Sequence, residues 1–342
     1  MKAVPIIAAL AGLAVVAGLV AGFGADAVIH SFLALGWKGF GAICLLHLSL
    51  LGVMGIAWRV LVPGALLRTF TAARVVREAG SEVLPLSPIG GCVLGARVLT
   101  LAGIPGSTAA ASTIVDLTLE FFAKLAYTAL GLVLLISLRP GSAITAPLTA
   151  GLAAASLAGL GLIAAQRHGF GLFDRIAHAL GRGWAERTAA GAAILRDALQ
   201  RTYQRKRSLG IGLALHLFCW IAATVEAWFA LRLVGSALPF RTVLVIESLV
   251  YAVRTFAIVI PNAVGLQEGA YVLIGAGFGL TPPVALMLSL LKRARDLAIG
   301  VPALAVWQFV EGGRLWRRRG RLLTQPAPSA DARRSWTGAD HG

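Results

Sequence analysis

Between Thr108 and Leu138 the chain is largely apolar, and its only charges are Asp116, Glu120 and Lys124, each four positions from the next. On a helix that spacing stacks all three on one face. Ionisable groups are expensive in hydrocarbon, so such a face turns towards protein or a wet cavity. A second cluster, Lys292-Arg293-Ala294-Arg295-Asp296, interrupts a similar apolar stretch near the C-terminus. Both clusters follow a Pro/Gly-rich segment. The pattern predicts an all-α polytopic membrane protein whose two halves enclose a buried polar site.

Composition fits that class. Apolar residues make up 58% of the 342 positions and charged ones 13%, against about 45–50% and about 25% in soluble domains. The 40 glycines suit closely packed membrane helices. The length allows about seven or eight spans of about 20 residues. A net charge of +16 could suggest nucleic acid, but its placement excludes that class. Residues 166–209 hold nine Lys/Arg against three acids, and residues 311–342 hold seven against three. Both blocks flank apolar segments, as cytoplasmic loops and tails do, and attract anionic lipid headgroups. Cys44, Cys92 and Cys219 are dispersed and odd in number, and the six histidines form no HExxH pattern. No disulfide framework, metal or cofactor is therefore expected. No GxSxG elbow or Walker loop is present either.

Spans are expected at about 4–23, 39–58, 107–138, 146–165, 211–234 and 240–260, with a last long stretch from Thr281. The apolar run from Val4 to Phe23 exceeds a signal-peptide core and reads as an uncleaved helix. The basic stretch Leu67–Val83 reads as an amphipathic helix on the cytoplasmic surface. Two Gly/Pro-interrupted segments, Leu84–Gly106 and Pro261–Pro283, each hold a helix too short to span, and so read as re-entrant. The count is seven crossings if both are re-entrant, and an eighth comes from one of them spanning fully or from a split in the final stretch. Residues 1–320 then form one membrane domain that includes the basic cytoplasmic segment 166–209. Residues 321–342 form a disordered polar tail.

An offset of 176 residues pairs Pro85 with Pro261, Gly103 with Gly279, Asp116 with Lys292, and Glu120 with Asp296. That order suggests an inverted repeat of the transporter type, with broken helices meeting around a midplane site. Within the site, Glu120 and Lys124 can pair at i,i+4. Asp116 competes with Glu120 for compensation, so a further cation or a shared proton is required. Lys292 can pair with Asp296 in its own helix, leaving Arg293 and Arg295 for a phosphate, a carboxylate or another helix. Glu247 and Arg254 share one side of their span, and Glu226 needs a partner such as Arg254. Asn262, Gln267 and Glu268 bring polar groups to the second break, where Glu268 could hold a cation or proton, orient an arginine, or simply cap the helix.

The run Pro261-Asn262-Ala263-Val264-Gly265-Leu266-Gln267-Glu268-Gly269-Ala270, followed by a helix with Lys292-Arg293, resembles the flippase-like membrane domain of the lysylphosphatidylglycerol synthase family. Leu86–Arg97 together with Val115–Glu120 resembles a bacterial branch associated with hopanoid biosynthesis. The resemblance covers about residues 1–320, with Glu268 at the family's acidic position. Cys92 departs from the acid that relatives often carry after the paired glycines of the first motif. The resemblance implies movement of a lipid between leaflets of the bacterial inner membrane. Aminoacyl transfer belongs to a separate soluble domain and is not carried over.

The expected function is flippase-like handling of an amphipathic isoprenoid lipid linked to hopanoid biosynthesis. Membrane lipids, and hopanoid-biosynthesis enzymes, are the expected partners, and the N-terminus is expected in the cytoplasm. Arg97, Arg254, Arg293 and Arg295 are candidate headgroup contacts. Asp116, Glu120, Glu247 and Glu268 are candidate counter-charges. The alternatives are a membrane-embedded lipid-modifying enzyme or a noncatalytic partner of such enzymes.

Overall fold

The computed structural model describes the backbone of residues 25–83, 87–168, 182–256 and 263–323, and short helical pieces between 17 and 22. Most of the expected first span, Pro85, Phe170–Leu180, Pro261, Asn262 and the tail beyond residue 323 lie outside the described residues. The described chain is helical throughout its regular elements. In order these are α1 Ala25–Arg59, α2 Leu67–Val83, α3 Ser87–Leu101, α4 Gly106–Leu138, α5 Thr145–His168, α6 Arg182–Gln204, α7 Lys206–Leu233, α8 Phe240–Phe256, α9 Leu266–Ala276 and α10 Pro282–Leu323.

Among the described residues, four segments are long and apolar enough to cross a membrane: Leu33–Arg59 of α1, α4, Thr145–Gln166 of α5, and α7. The protein is an all-α polytopic membrane protein. Helix α1 is broken at Gly36, whose φ of 66° and ψ of 167° leave the helical region. Helix α4 starts after Pro105, which cannot donate a backbone bond but suits a helix entry. With 33 residues it extends about 50 Å, more than a hydrocarbon core of about 30 Å. The expected seven or eight crossings exceed these four because the first expected span lies mostly outside the described residues, α8 has only 17 residues, and α10 carries the Lys292–Asp296 charges.

Packing ties the helices into two groups of four. Helix α2 lies on α1 and α3, and α3 lies on α4; likewise α8 lies on α7 and α9, and α9 lies on α10. Between the groups α1 meets α7, α2 meets α10, α8 meets α4, α1 meets α10 and α7 meets α4. Exchanging α1–α4 with α7–α10 leaves this set of neighbours unchanged. Helices α5 and α6 pack beside α4, outside the exchange.

The short helices end alike. Gly103 and Gly279 have φ of 92° and 82°. The N–H of the next residue, Ile104 or Leu280, bonds the carbonyl of Leu99 or Gly275 at 3.1 and 2.9 Å. This is the 6→1 bond of a Schellman ending, which favours glycine because a Cβ resists positive φ. A Cβ at either position meets nothing within 4 Å, so only backbone strain opposes it. Gly103→Ala and Gly279→Ala are each expected to cost about 1–2 kcal/mol, read as a lower thermal midpoint in detergent. Loss from only one of the two would break the equivalence of the turns.

Helix α2 corrects an expectation. It is not laid on the surface; Phe70 and Ala73 are fully buried, and Arg74 and Arg77 are only 2% and 4% exposed. These four residues recur at helical spacing on one face. That face meets the acids of α4, so carboxylates rather than water satisfy its guanidinium groups.

Candidate functional site

The first polar cluster forms where α2, α4 and α7 meet. Arg77 donates to Asp116 at 2.5 Å and to Glu120 at 2.6 Å. Arg74 donates to Glu120 at 2.7 Å and to Glu78, one turn along its own helix, at 2.8 Å. Lys124 lies 3.2 Å from the other oxygen of Glu120 and 4.8 Å over the Trp220 ring. The remaining oxygen of Asp116 meets His216 Nε2 at 2.9 Å, with His216 fully buried. The two acids of α4 are thus held by cations of a neighbouring helix as well as by Lys124. Such pairs survive in a dry interior because the partner offsets desolvation and charge-assisted bonds fill the lone pairs.

The second cluster reverses the signs. Here the long helix α10 supplies the bases. Lys292 binds Glu247 of α8, which also accepts the Tyr271 hydroxyl at 2.6 Å. Arg295 binds Glu226 of α7 and, at 2.6 Å, Asp296. His47 of α1 meets the second oxygen of Glu226 at 3.2 Å. Arg254 donates to Glu82 of α2 at 3.1 Å.

A third group braces the second Gly/Pro break. Glu268, fully buried, reaches back to the Gly265 N–H at 2.8 Å, the carboxylate half of a capping box. Gly265 has φ of 83° and no side chain to return the bond. Ser289 donates to Glu268 at 2.9 Å, Gln267 donates to Ser289 at 2.8 Å, and Arg293 binds Glu268 at 2.6 Å. Glu268 therefore caps α9 and ties it to α10.

A cavity of about 680 Å³ lies between the two groups of helices. Arg74, Arg77, Glu120 and Lys124 line it from the first group, and Tyr251, Arg254, Arg295 and Asp296 from the second. Ile114, Leu117, Phe121 and Leu162 form an apolar flank where α4 meets α5. Gln166 also lines the cavity, donating to Thr118 at 3.1 Å and accepting from Tyr203 of α6.

The family model of the lysylphosphatidylglycerol synthase TM region matches residues 6–303. The chain belongs to that family. Comparison with curated proteins and with solved structures finds no match. In this lysylphosphatidylglycerol synthase TM region the match runs through both charged clusters and the Gly265–Glu268 cap.

Of the residues singled out from the sequence, Glu120, Lys124, Arg254, Arg295 and Asp296 line the cavity. Asp116 lies directly behind Arg77. Glu247 and Lys292 form a buried brace off the cavity wall, and Gln267, Glu268 and Arg293 secure the α9–α10 junction. Arg97 is not brought in: its side chain is 48% exposed and pairs with Glu311. Asn262 falls outside the described residues. Two expected partnerships are replaced: Lys292 takes Glu247 rather than Asp296, and Glu226 takes Arg295 and His47 rather than Arg254. Sequence reasoning missed Arg74, Arg77, Glu78, Glu82, His47 and His216. The arginines carried a signal, since they share the face of Phe70 and Ala73, whereas a surface helix keeps its charged and large apolar residues on opposite faces.

Proposed function

We propose that this protein moves an amphipathic lipid between leaflets of the bacterial inner membrane, as a flippase-like transporter, with a hopanoid or related isoprenoid lipid as substrate. The observation that carries the reading is the cavity, which joins charged residues of both helix groups to an apolar flank at α4 and α5. Its volume falls within the range of about 300–1,000 Å³ usual for ligand sites. A headgroup can sit among the charges while its tail leaves past Ile114, Leu117, Phe121 and Leu162. The exchangeable packing of α1–α4 and α7–α10, with short helices ending alike, supports an inverted repeat that rocks around this site. In that reading α8 and α10 also cross the membrane, α3 and α9 are re-entrant, and the basic segment 166–209 faces the cytoplasm. The hopanoid assignment rests on the Leu86–Arg97 and Val115–Glu120 resemblance.

Protein reconstituted in liposomes should accelerate leaflet exchange of a labelled hopanoid. Lys124 is the cavity cation to change first, because it is 35% exposed and its removal leaves Glu120 on two arginines. Lys124→Met is expected to slow exchange about tenfold, a loss of about 1.4 kcal/mol of barrier lowering, with an unchanged thermal midpoint. Wild-type protein that accelerates exchange of neither hopanoids nor other isoprenoid lipids would end the proposal.

A further inference from the structure

We infer that the cavity selects a headgroup without net charge, a hydroxyl-rich group such as a polyol, over anionic or cationic ones. The inference takes its lipid from the transport reading above and its selectivity from the state of the cavity's charges. Among the described residues five Lys/Arg cations line the wall, and each already holds a carboxylate: Arg74 on Glu120 at 2.7 Å, Arg77 on Asp116 at 2.5 Å, Lys124 on Glu120 at 3.2 Å, Arg254 on Glu82 at 3.1 Å and Arg295 on Asp296 at 2.6 Å. Six carboxylates face these five cations, and each contacts at least one of them. Glu78, Glu82, Glu120 and Asp296 stand on the wall, with Asp116 and Glu226 directly behind. His47 shares Glu226 with Arg295. A site built for phosphate keeps cations in surplus; here a phosphate must pull a guanidinium away from its acid and leave that acid buried. An ammonium meets the converse obstacle. Either exchange leaves an uncompensated charge in a poorly solvated interior.

What the wall still offers is neutral hydrogen bonding. Ser81, Thr118, Gln166, Tyr251 and Thr255 line it with neutral hydroxyl and amide groups. Such groups both donate and accept hydrogen bonds. A hydroxyl-rich headgroup can bond to them without breaking an ion pair.

The test uses three lipids with one polycyclic tail and different heads: a tetrol, a phosphoglycerol anion and a primary-amine cation. Each is titrated against the full-length protein in nanodiscs with binding read by native mass spectrometry, and leaflet exchange is measured in parallel in liposomes. The tetrol is expected to bind at least about tenfold tighter than either charged lipid. Glu78→Gln removes one wall carboxylate, whose side chain is 29% exposed, and leaves Arg74 on Glu120. It should move the preference towards the phosphoglycerol lipid. Equal binding of all three, binding of none, or a wild-type preference for a charged head overturns the inference. Selective tetrol binding without leaflet exchange overturns the transport reading and leaves the headgroup selectivity standing.

Discussion

Arg77→Ala should destabilise the protein by about 3–5 kcal/mol, the usual cost of stranding a buried partner. Its two terminal nitrogens bind different carboxylates, Asp116 at 2.5 Å and Glu120 at 2.6 Å. Those acids lie one turn apart on α4 and are 0% and 6% exposed. Removing Arg77 leaves Asp116 with His216 as its remaining partner, and Glu120 with Arg74 and Lys124. The stacking of Arg77 over Trp58, 5.6 Å from the ring centre, is lost as well. Arg77→Lys should recover only part of the loss, because one ammonium cannot span two acceptors as a planar fork does. Adding Asp116→Asn to Arg77→Ala should recover more, since it removes one of the two stranded charges. Thermal unfolding in nanodiscs measures all three. An Arg77→Ala midpoint equal to wild type would mean that water reaches the α4 acids and that no dry ion-pair network joins α2 to α4.

The α4 helix shows what the sequence makes legible. Its limits are marked by Pro105-Gly106 and Arg139-Pro140, and its spacing alone puts Asp116, Glu120 and Lys124 on one face. The need for a further cation or a shared proton also follows from one sequence, because two acids cannot share one lysine without cost. The identity of that cation does not follow. Helical period assigns a residue to a face, but the neighbour of that face is set by tertiary packing. Glu226 illustrates the gap: the sequence offers Arg254 as its partner, whereas the approach of α10 to α7 and α1 gives it Arg295 and His47. Arg97 illustrates the reverse error. It lies in the first short helix, yet its face turns outward to Glu311 near the far end of α10. Glu268 was legible as either a cap or a charge site, and the geometry makes it a cap whose charge also anchors Arg293.

The Glu247–Lys292 brace should behave differently from the cavity wall, and asymmetrically between its two partners. Lys292→Met leaves the Glu247 carboxylate fully buried with the Tyr271 hydroxyl as its remaining hydrogen-bond donor, and is expected to cost about 3–5 kcal/mol. Glu247→Gln should cost less. It keeps an acceptor for Tyr271, and the stranded ammonium still lies 5.2 Å from the Tyr251 ring centre and 5.6 Å from that of Tyr271, where aromatic faces favour a cation. The double variant Glu247→Gln with Lys292→Met should recover much of the stability lost by Lys292→Met alone, since a neutral pair carries no desolvation penalty. A double-mutant cycle on thermal unfolding gives the coupling. Because neither side chain lines the cavity, the double variant should also keep its leaflet-exchange rate, whereas Lys124→Met should lose exchange without losing stability. If the neutral pair folds as well as wild type yet abolishes exchange, the brace is part of the conducting site, and the boundary drawn here between wall and scaffold is wrong.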